Sequence, residues 1–317
     1  MSDTGAVTGP LRVQLTRGGL VESEHLVHAV VVGPGGRREA FGDPDRLAFP
    51  RSAVKMVQAM PLLLTGAADA FGVSDAELAL ACASHSAEPA HVDAVESWLD
   101  RIGLDASVLE CGVPPGHDSP VAHECSGQHA GFLTVARHLD IDPSGYAQPD
   151  HLVQQLVTDD LAATFGFSPP PLHTGVDGCG VPAHPMRLES LATGITRFGT
   201  PPESWTAERA EAAARLAGAM RAHPFLVAGT GRLCTELMED TDDVVAKVGA
   251  EGVYLATAIG GDWGVAVKVV DGAIRAAELA VLHLVEATGR PSSDRLQERR
   301  IIRSTGGEVV GAARVVD

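Results

Sequence analysis

The sequence predicts an α/β (α+β) chain in which strands from both ends form one antiparallel sheet and helices fill the middle. Three observations predict this. First, Leu11-Arg12-Val13-Gln14-Leu15 alternates, His25 to Val32 is apolar and β-branched, and the turn Gly33-Pro34-Gly35-Gly36 leads to a hairpin partner at Arg38 to Gly42. Second, strand patterns return late, at Val244 to Val248, Val253 to Ile259 and Val265 to Val270, with Ile301-Ile302 and Val309 to Val316 as final strands. Third, the stretch between them carries helical periodicity and helix-start signals. The simplest packing joins the two ends in one sheet with a helical region beside it.

The elements follow in order. Residues 1–10 are small and polar and read as a disordered tail. The remainder, 11–317, reads as a single unit, with a sheet from about 11–50 and 240–317 and a helical region over about 51–239. Ser52 to about Leu64 is helical. Ser74-Asp75-Ala76-Glu77 has the form of a capping box and starts a helix that runs to about Cys82. Glu88 to Arg101 is amphipathic, with Val92, Val95 and Leu99 on one face. Ser126 to Leu139, Leu152 to Phe165 and Glu203 to Met220 complete the helical set. Pro169-Pro170-Pro171 marks a rigid break before the Gly- and Pro-rich loop His173 to Pro182. Asp271-Gly272 turns into a long apolar helix, about Ala273 to Ala287.

Composition narrows the function. The 317 residues are 45% apolar and 21% charged, an ordinary globular balance. A net charge of −17 argues against nucleic acid or an anionic membrane as partner. No apolar run reaches the length of a membrane span. The first residues lack the basic and apolar regions of a secretory signal. Five widely spaced cysteines do not form a disulfide framework. A reducing cytoplasm is the expected location.

Several clusters can carry chemistry. Ser52 and Lys55 stand three residues apart, so on a helix they share a face. A lysine of lowered pKa can activate a serine, and S-x-x-K is the nucleophile motif of serine β-lactamases and penicillin-binding proteins. Taken alone, the pair reads first as an N-cap and a surface lysine. Arg51 offers a fork for a carboxylate, or is a surface residue. Ser84-His85-Ser86 closes an apolar helix, as a polar site or as a simple turn. Lys247, before Gly249 and Gly252, and Lys268 each sit in a β-branched run, facing a site or solvent. Cys125 and Cys179, with nitrogen ligands near them, could hold zinc, or be two small buried residues. His129 lies one turn from Cys125. Asp177 and Glu22 could fix an ammonium group, or end turns.

In this order the segments resemble the L-asparaginase II family, the group typified by the inducible rhizobial asparaginase. The landmarks are Val21 to His25, Pro50 to Lys55, Ser84-His85-Ser86, Cys125 to Gly131, Asp177 to Pro182, His223-Pro224 with Val227-Ala228-Gly229, and Lys247 to Gly252. The resemblance implies a fold like serine β-lactamases, penicillin-binding proteins and their glutaminase relatives. It implies hydrolysis of L-asparagine to L-aspartate and ammonia, with no organic cofactor and a homodimeric assembly. Two Ser–Lys pairs are implied, Ser52 with Lys55 and Ser84 with Lys247, Lys268 being the alternative. Arg51, Asp177, His129 and Glu22 are the implied substrate-binding residues. The family's zinc site of two cysteines and a lysine maps onto Cys125, Cys179 and, in the lysine's place, Gln128. An amide oxygen is a poor zinc ligand. The alternatives are a glutaminase, another serine amidase acting on a β-lactam or peptide, or a catalytically impaired protein that binds an amino acid or metal.

Overall fold

The computed structural model describes residues 7–168, 173–290 and 292–316. Residues 1–6 of the expected tail and Pro169-Pro170-Pro171 lie outside the described residues. Val7–Thr8, also assigned to the tail from sequence, instead forms strand β1. The chain continues with β2 (Leu11–Arg17), β3 (Leu20–Val32), β4 (Arg38–Phe41) and β5 (Leu47–Ala48). Helices α1 (Lys55–Gln58), α2 (Met60–Leu64), α3 (Ala67–Ala70), α4 (Asp75–Ala81), α5 (Pro89–Arg101), α6 (Ser126–His138) and α7 (Leu152–Phe165) follow. Short strands β6 (Gly175–Val176), β7 (Pro182–Ala183) and β8 (Met186–Arg187) precede α8 (Leu188–Gly199), α9 (Ala207–Ala222), α10 (Pro224–Ala228) and α11 (Leu233–Asp240). The last elements are β9 (Val244–Val248), β10 (Val253–Ala258), β11 (Gly264–Val269), α12 (Ile274–Ala287), α13 (Asp294–Glu298), β12 (Ile301–Arg303) and β13 (Val309–Val316). None of the described helices is long and apolar enough to cross a membrane.

The chain divides into two compact units. One holds residues 1–53, 186–200 and 236–317. Its sheet runs β12-β13-β2-β3-β11-β10-β9, with β4 also on β3 and β1 on β4. Every pairing is antiparallel except β1 with β4. The residues of β9 and β10 are buried on both faces, so this part of the sheet is covered on both sides. Helices α8 and α12 both pack on β10 and β11. A side chain at Gly199 would run into Thr257, and one at Gly264 into Thr196, so glycine lets α8 lie close on the strands. The sequence reading left α8 out, although Leu188, Leu191, Ala192, Ile195 and Phe198 recur at helical spacing and are buried.

The other unit holds residues 54–185 and 201–235 and is helical. The run assigned to a single helix from Ser52 is broken here. Arg51–Val54 is a 3₁₀ turn, then α1 and α2 are separated at Ala59. Pro61 has no N–H and cannot continue the ladder from α1. The capping box forms as read: Ser74 accepts from Glu77 N–H while Glu77 accepts from Ser74 N–H. Helix α9 starts later than the sequence suggests because Thr206 caps it through Arg209 N–H. A partly buried pair, Arg209 Nη1 with Asp160 Oδ1 at 2.5 Å, ties α9 to α7.

Helix α6 packs on the end of α4 because Gly127 carries no side chain. A Cβ there would sit 2.5 Å from both Leu80 Cγ and Leu80 O. Gly127→Ala should therefore push the two helices apart and destabilise the protein by about 1–3 kcal/mol. Urea unfolding of the variant against wild type checks this, and equal midpoints would mean that α6 shifts at no cost.

Candidate active site

The segment with Ser52 is set by backbone geometry. Arg51 has φ of 53°, a left-handed conformation uncommon for a residue with a side chain. Ala53 N–H donates to Pro50 O at 3.0 Å and closes the turn, leaving Ser52 half-buried. A side chain at Gly249 would run into Pro50 O, so glycine brings the end of β9 against this turn. Strand β9 carries Lys247, fully buried and donating to Val248 O at 2.9 Å. Lys268, on β11, donates to Glu251 O at 2.6 Å and to Val269 O. Burial, then nearby Arg46, lowers its pKa.

The helical unit contains a polar centre around Lys55, the first residue of α1. Its side chain is 1% exposed and donates to Ala83 O at 2.5 Å, Ser84 Oγ at 3.2 Å and Cys125 Sγ at 3.1 Å. These acceptors engage all three ammonium protons. Burial alone would lower the Lys55 pKa, but the Cys125 thiolate, with Cys179 and Glu124 beside it, outweighs this and raises the pKa. Lys55 is thus held as an ammonium ion on a serine hydroxyl.

Ser84 follows α4, where the chain leaves the helix and Ser84 N–H donates to Val227 O at 3.0 Å. The loop is fastened to residues 227–230 along its length. Ser86 Oγ donates to Ala228 O at 2.9 Å, and the Glu88 carboxylate accepts from Thr230 N–H and Oγ–H, each at 2.8 Å. Gly229 has φ of 113°, and a side chain there would lie 2.6 Å from Ser86 Oγ. Two landmarks far apart in sequence, Ser84-His85-Ser86 and Val227-Ala228-Gly229, are therefore one structural piece.

His85 is held neutral. Ser126 Oγ donates to Val121 O at 2.7 Å, so it accepts from His85 Nε2–H at 2.9 Å. Ala87 N–H donates to His85 Nδ1 at 3.1 Å. Burial, with His91 and Lys55 beside it, lowers the His85 pKa to about 3. His129, fully buried, accepts at Nδ1 from the Tyr146 hydroxyl at 2.6 Å, and that hydroxyl accepts from Glu110 N–H at 2.8 Å. Burial lowers the His129 pKa to about 3 as well. Tyr146 lies in a loop with no motif around it, and sequence reasoning missed it.

Cys125 is the N-cap of α6, and its N–H donates to His123 Nδ1 at 3.0 Å. Cys179 sits in the hairpin loop between β6 and β7. Asp177 forms that loop through its N–H to Val181 O at 2.8 Å and Gly178 N–H to its Oδ1 at 2.6 Å. The Cys179 thiol hydrogen-bonds Cys125, and together with Lys55 and His123 it holds the Cys125 pKa well below the usual thiol range. The Cys179 pKa is raised by the same bond and by burial.

The zinc implied by the resemblance can be tested against this donor set. Gln128 Nε2 donates to Gln58 Oε1 at 2.8 Å, and Gln128 Oε1 is buried with no partner among the described residues. The nitrogen on Cys125 is an ammonium donor, not a ligand. Among the described residues no cluster of three or more His, Cys, Asp or Glu could hold a metal ion. The residues present do not fit zinc as arranged. Gln58, one turn after Lys55, was also missed from sequence, although its i+3 spacing puts it on the lysine's face.

The structure thus brings Lys55, Ser84, Cys125 and Cys179 together in one unit. Ser52, Arg51, Lys247 and Lys268 belong to the other, as does Glu22, exposed on β3 and paired with Arg17 at 2.9 Å. The chain belongs to the L-asparaginase II family, whose model matches residues 13–315. It is accordingly a hydrolase acting on amides. No curated protein matches it. Solved structures match loosely. Mglu is 17% identical over 83% of this chain and 67% of its own, with a TM-score of 0.40. A β-lactamase from Mycobacterium bovis is 14% identical over 83% and 94%, with a TM-score of 0.44. A probable glutaminase from Bacillus subtilis, complexed with 6-diazo-5-oxo-L-norleucine, is 11% identical over 82% and 85%, with a TM-score of 0.38. The family assignment rests on the family model and not on these likenesses.

Proposed function

We propose that the chain hydrolyses the side-chain amide of L-asparagine to L-aspartate and ammonia. The observation that carries this reading is the Lys55 ammonium on the Ser84 hydroxyl at 3.2 Å, in a member of the L-asparaginase II family. Ser52 attacks the amide carbon and Lys55, three residues on, takes its proton. Lys55 must first lose one of its three protons, and Cys125 Sγ at 3.1 Å is an acceptor in reach. Ser84, with Lys247 as its second lysine, returns a proton to the departing ammonia. Water then cleaves the ester and regenerates Ser52. Backbone N–H groups near Ser52 stabilise the oxyanion. Arg51 holds the α-carboxylate and Asp177 the α-ammonium group. The homodimer and the cytoplasmic location implied by the resemblance belong to the same reading.

A second reading makes Ser84 the nucleophile, because Ser84 is the hydroxyl in hydrogen-bond contact with Lys55. Glutamine differs from asparagine by one methylene, worth about 1–3 kcal/mol in discrimination. Ammonia release from both amides, with wild type, Ser52→Ala and Ser84→Ala, tests these readings. Asparagine should exceed glutamine, and Ser52→Ala should abolish turnover. An acid-quenched acyl adduct should map to Ser52. An adduct on Ser84 would install the second reading, and no ammonia from folded wild type would overturn the proposal.

A further inference from the structure

We propose that Gln58 and Gln128 are positioning residues: their paired side-chain amides hold Lys55 on Ser84, and they do so without the zinc implied by the family pattern. Helix α1 is weak by itself. It is four residues long and no side chain caps its N-terminus. Ala59 N–H closes it on Lys55 O at 2.9 Å. A helix this short takes its orientation from what it touches. Its backbone packs on α7 and α9, and the side chains of its first and last residues reach across to α6. Lys55 Nζ lies 3.1 Å from Cys125 Sγ, and Gln58 Oε1 accepts from Gln128 Nε2–H at 2.8 Å. All of these residues belong to one compact unit.

The two contacts form a ladder. One rung joins residues 55 and 125, the other 58 and 128, so on both sides the second rung stands three residues beyond the first. One rung would let α1 swivel about the ammonium, and two fix its rotation. Gln58 and Gln128 are 6% and 2% exposed, so an amide that lost its partner would be stranded in the core. Turning α1 by one residue would break both rungs. It would also draw the ammonium off Ala83 O and Ser84 Oγ, which lie at 2.5 and 3.2 Å. The amide bond bears on the metal as well. To meet a cation shared with the cysteines, Gln128 would have to leave Gln58 unpaired, and its amide oxygen is a weak zinc donor in return. The cavity that Gln58 and Gln128 line is about 10 Å³, space for no more than one water. Pairing with Gln58 and ligating a metal are thus alternatives for residue 128, and this chain has the pair. The catalytic consequence rests on the amidohydrolase reading, whereas the tie between α1 and α6 does not.

The test uses Gln58→Leu in the full-length protein, with Gln58→Met giving the same readouts should the leucine variant fail to fold. The kcat for ammonia release from asparagine should fall about tenfold at unchanged KM, the size of one neutral hydrogen bond. Placed on Lys55→Ala, the same substitution should cost no further kcat, because Gln58 acts through that lysine, while the urea midpoint falls equally in both backgrounds. An equal loss of kcat in both backgrounds would make the pair merely structural and overturn the proposal. Hydrogen exchange at Ala59 N–H should quicken in Gln58→Leu, and unchanged exchange would remove the tie. Equilibrium dialysis against zinc chloride should load no zinc on the wild type, and dipicolinate should leave its kcat and urea midpoint where they were. Stoichiometric zinc, or a midpoint that drops with the chelator, would overturn the metal-free tie. Absence of ammonia release from the folded wild type would instead sink the amidohydrolase reading, with exchange and dialysis still deciding the tie.

Discussion

On the proposed mechanism, Lys55→Ala should lower kcat for amide hydrolysis by roughly 10²–10⁴-fold, the usual contribution of a positioned general base. KM should change less, because the lysine contacts Ala83, Ser84 and Cys125 and is assigned no contact with the substrate's charged groups. Lys55→Arg should not rescue the rate, since a guanidinium keeps its proton and cannot act as a base. A second signature accompanies the loss. The ammonium is one of the groups that hold Cys125 as a thiolate, so its removal should raise the Cys125 pKa. Steady-state kinetics with wild type, Lys55→Ala and Lys55→Arg, beside a thiolate absorbance titration, check both. A rate unchanged in Lys55→Ala would remove Lys55 from the chemistry.

Acidification to pH 5 should remove about 4 kcal/mol of folding stability through two buried histidines. His85 and His129 each titrate at about 3 in the folded protein because burial opposes the charged ring. In the unfolded chain they titrate near 6.5, so the unfolded state takes up their protons first as pH falls. Their contribution is complete above about pH 6.5 and drains away between about 6.5 and 3. The slope is about 1.4 kcal/mol per pH unit per histidine, or about 2 kcal/mol each between pH 6.5 and 5. Urea unfolding at pH 7 and 5 measures it, and His129→Gln should reduce the slope by one proton. Stability that is flat over this range would mean that water reaches both rings.

Local signals in the sequence were read well where one residue controls one element. The capping box at Ser74 and Glu77 formed, and α7 spans the residues its apolar spacing defines. The strands at both ends joined one sheet because alternation encodes which face is buried. Helix α8 was missed because Thr and Gly lower its propensity, and its fit to β10 and β11 is a tertiary effect. Of the two breaks in the run from Ser52, the one at Arg51 was missed because a positive φ leaves no periodic trace, whereas the one before α2 is marked in the sequence by Pro61. Within the site, the residue types were legible and the pairing was not. Lys55 meets Ser84 and Cys125 across 29 and 70 residues, and no spacing rule reaches that far. Gln128 was noticed as a departure in the sequence, but its bond to Gln58 is visible only once α1 and α6 are packed.

The strand order has a consequence for how the chain is made. The hairpin of β2 and β3 lies between β13 and β11, which are synthesised more than two hundred residues later. At roughly 5–20 residues per second, ribosomal elongation leaves both edges of that hairpin without those partners for about ten to fifty seconds. An unpaired edge is a template for pairing with another nascent chain. The helical residues 54–185 emerge in that interval as one contiguous run and can settle on their own contacts. The yield of active protein, as distinct from its stability, should therefore depend on how well that early hairpin is shielded until translation nears its end.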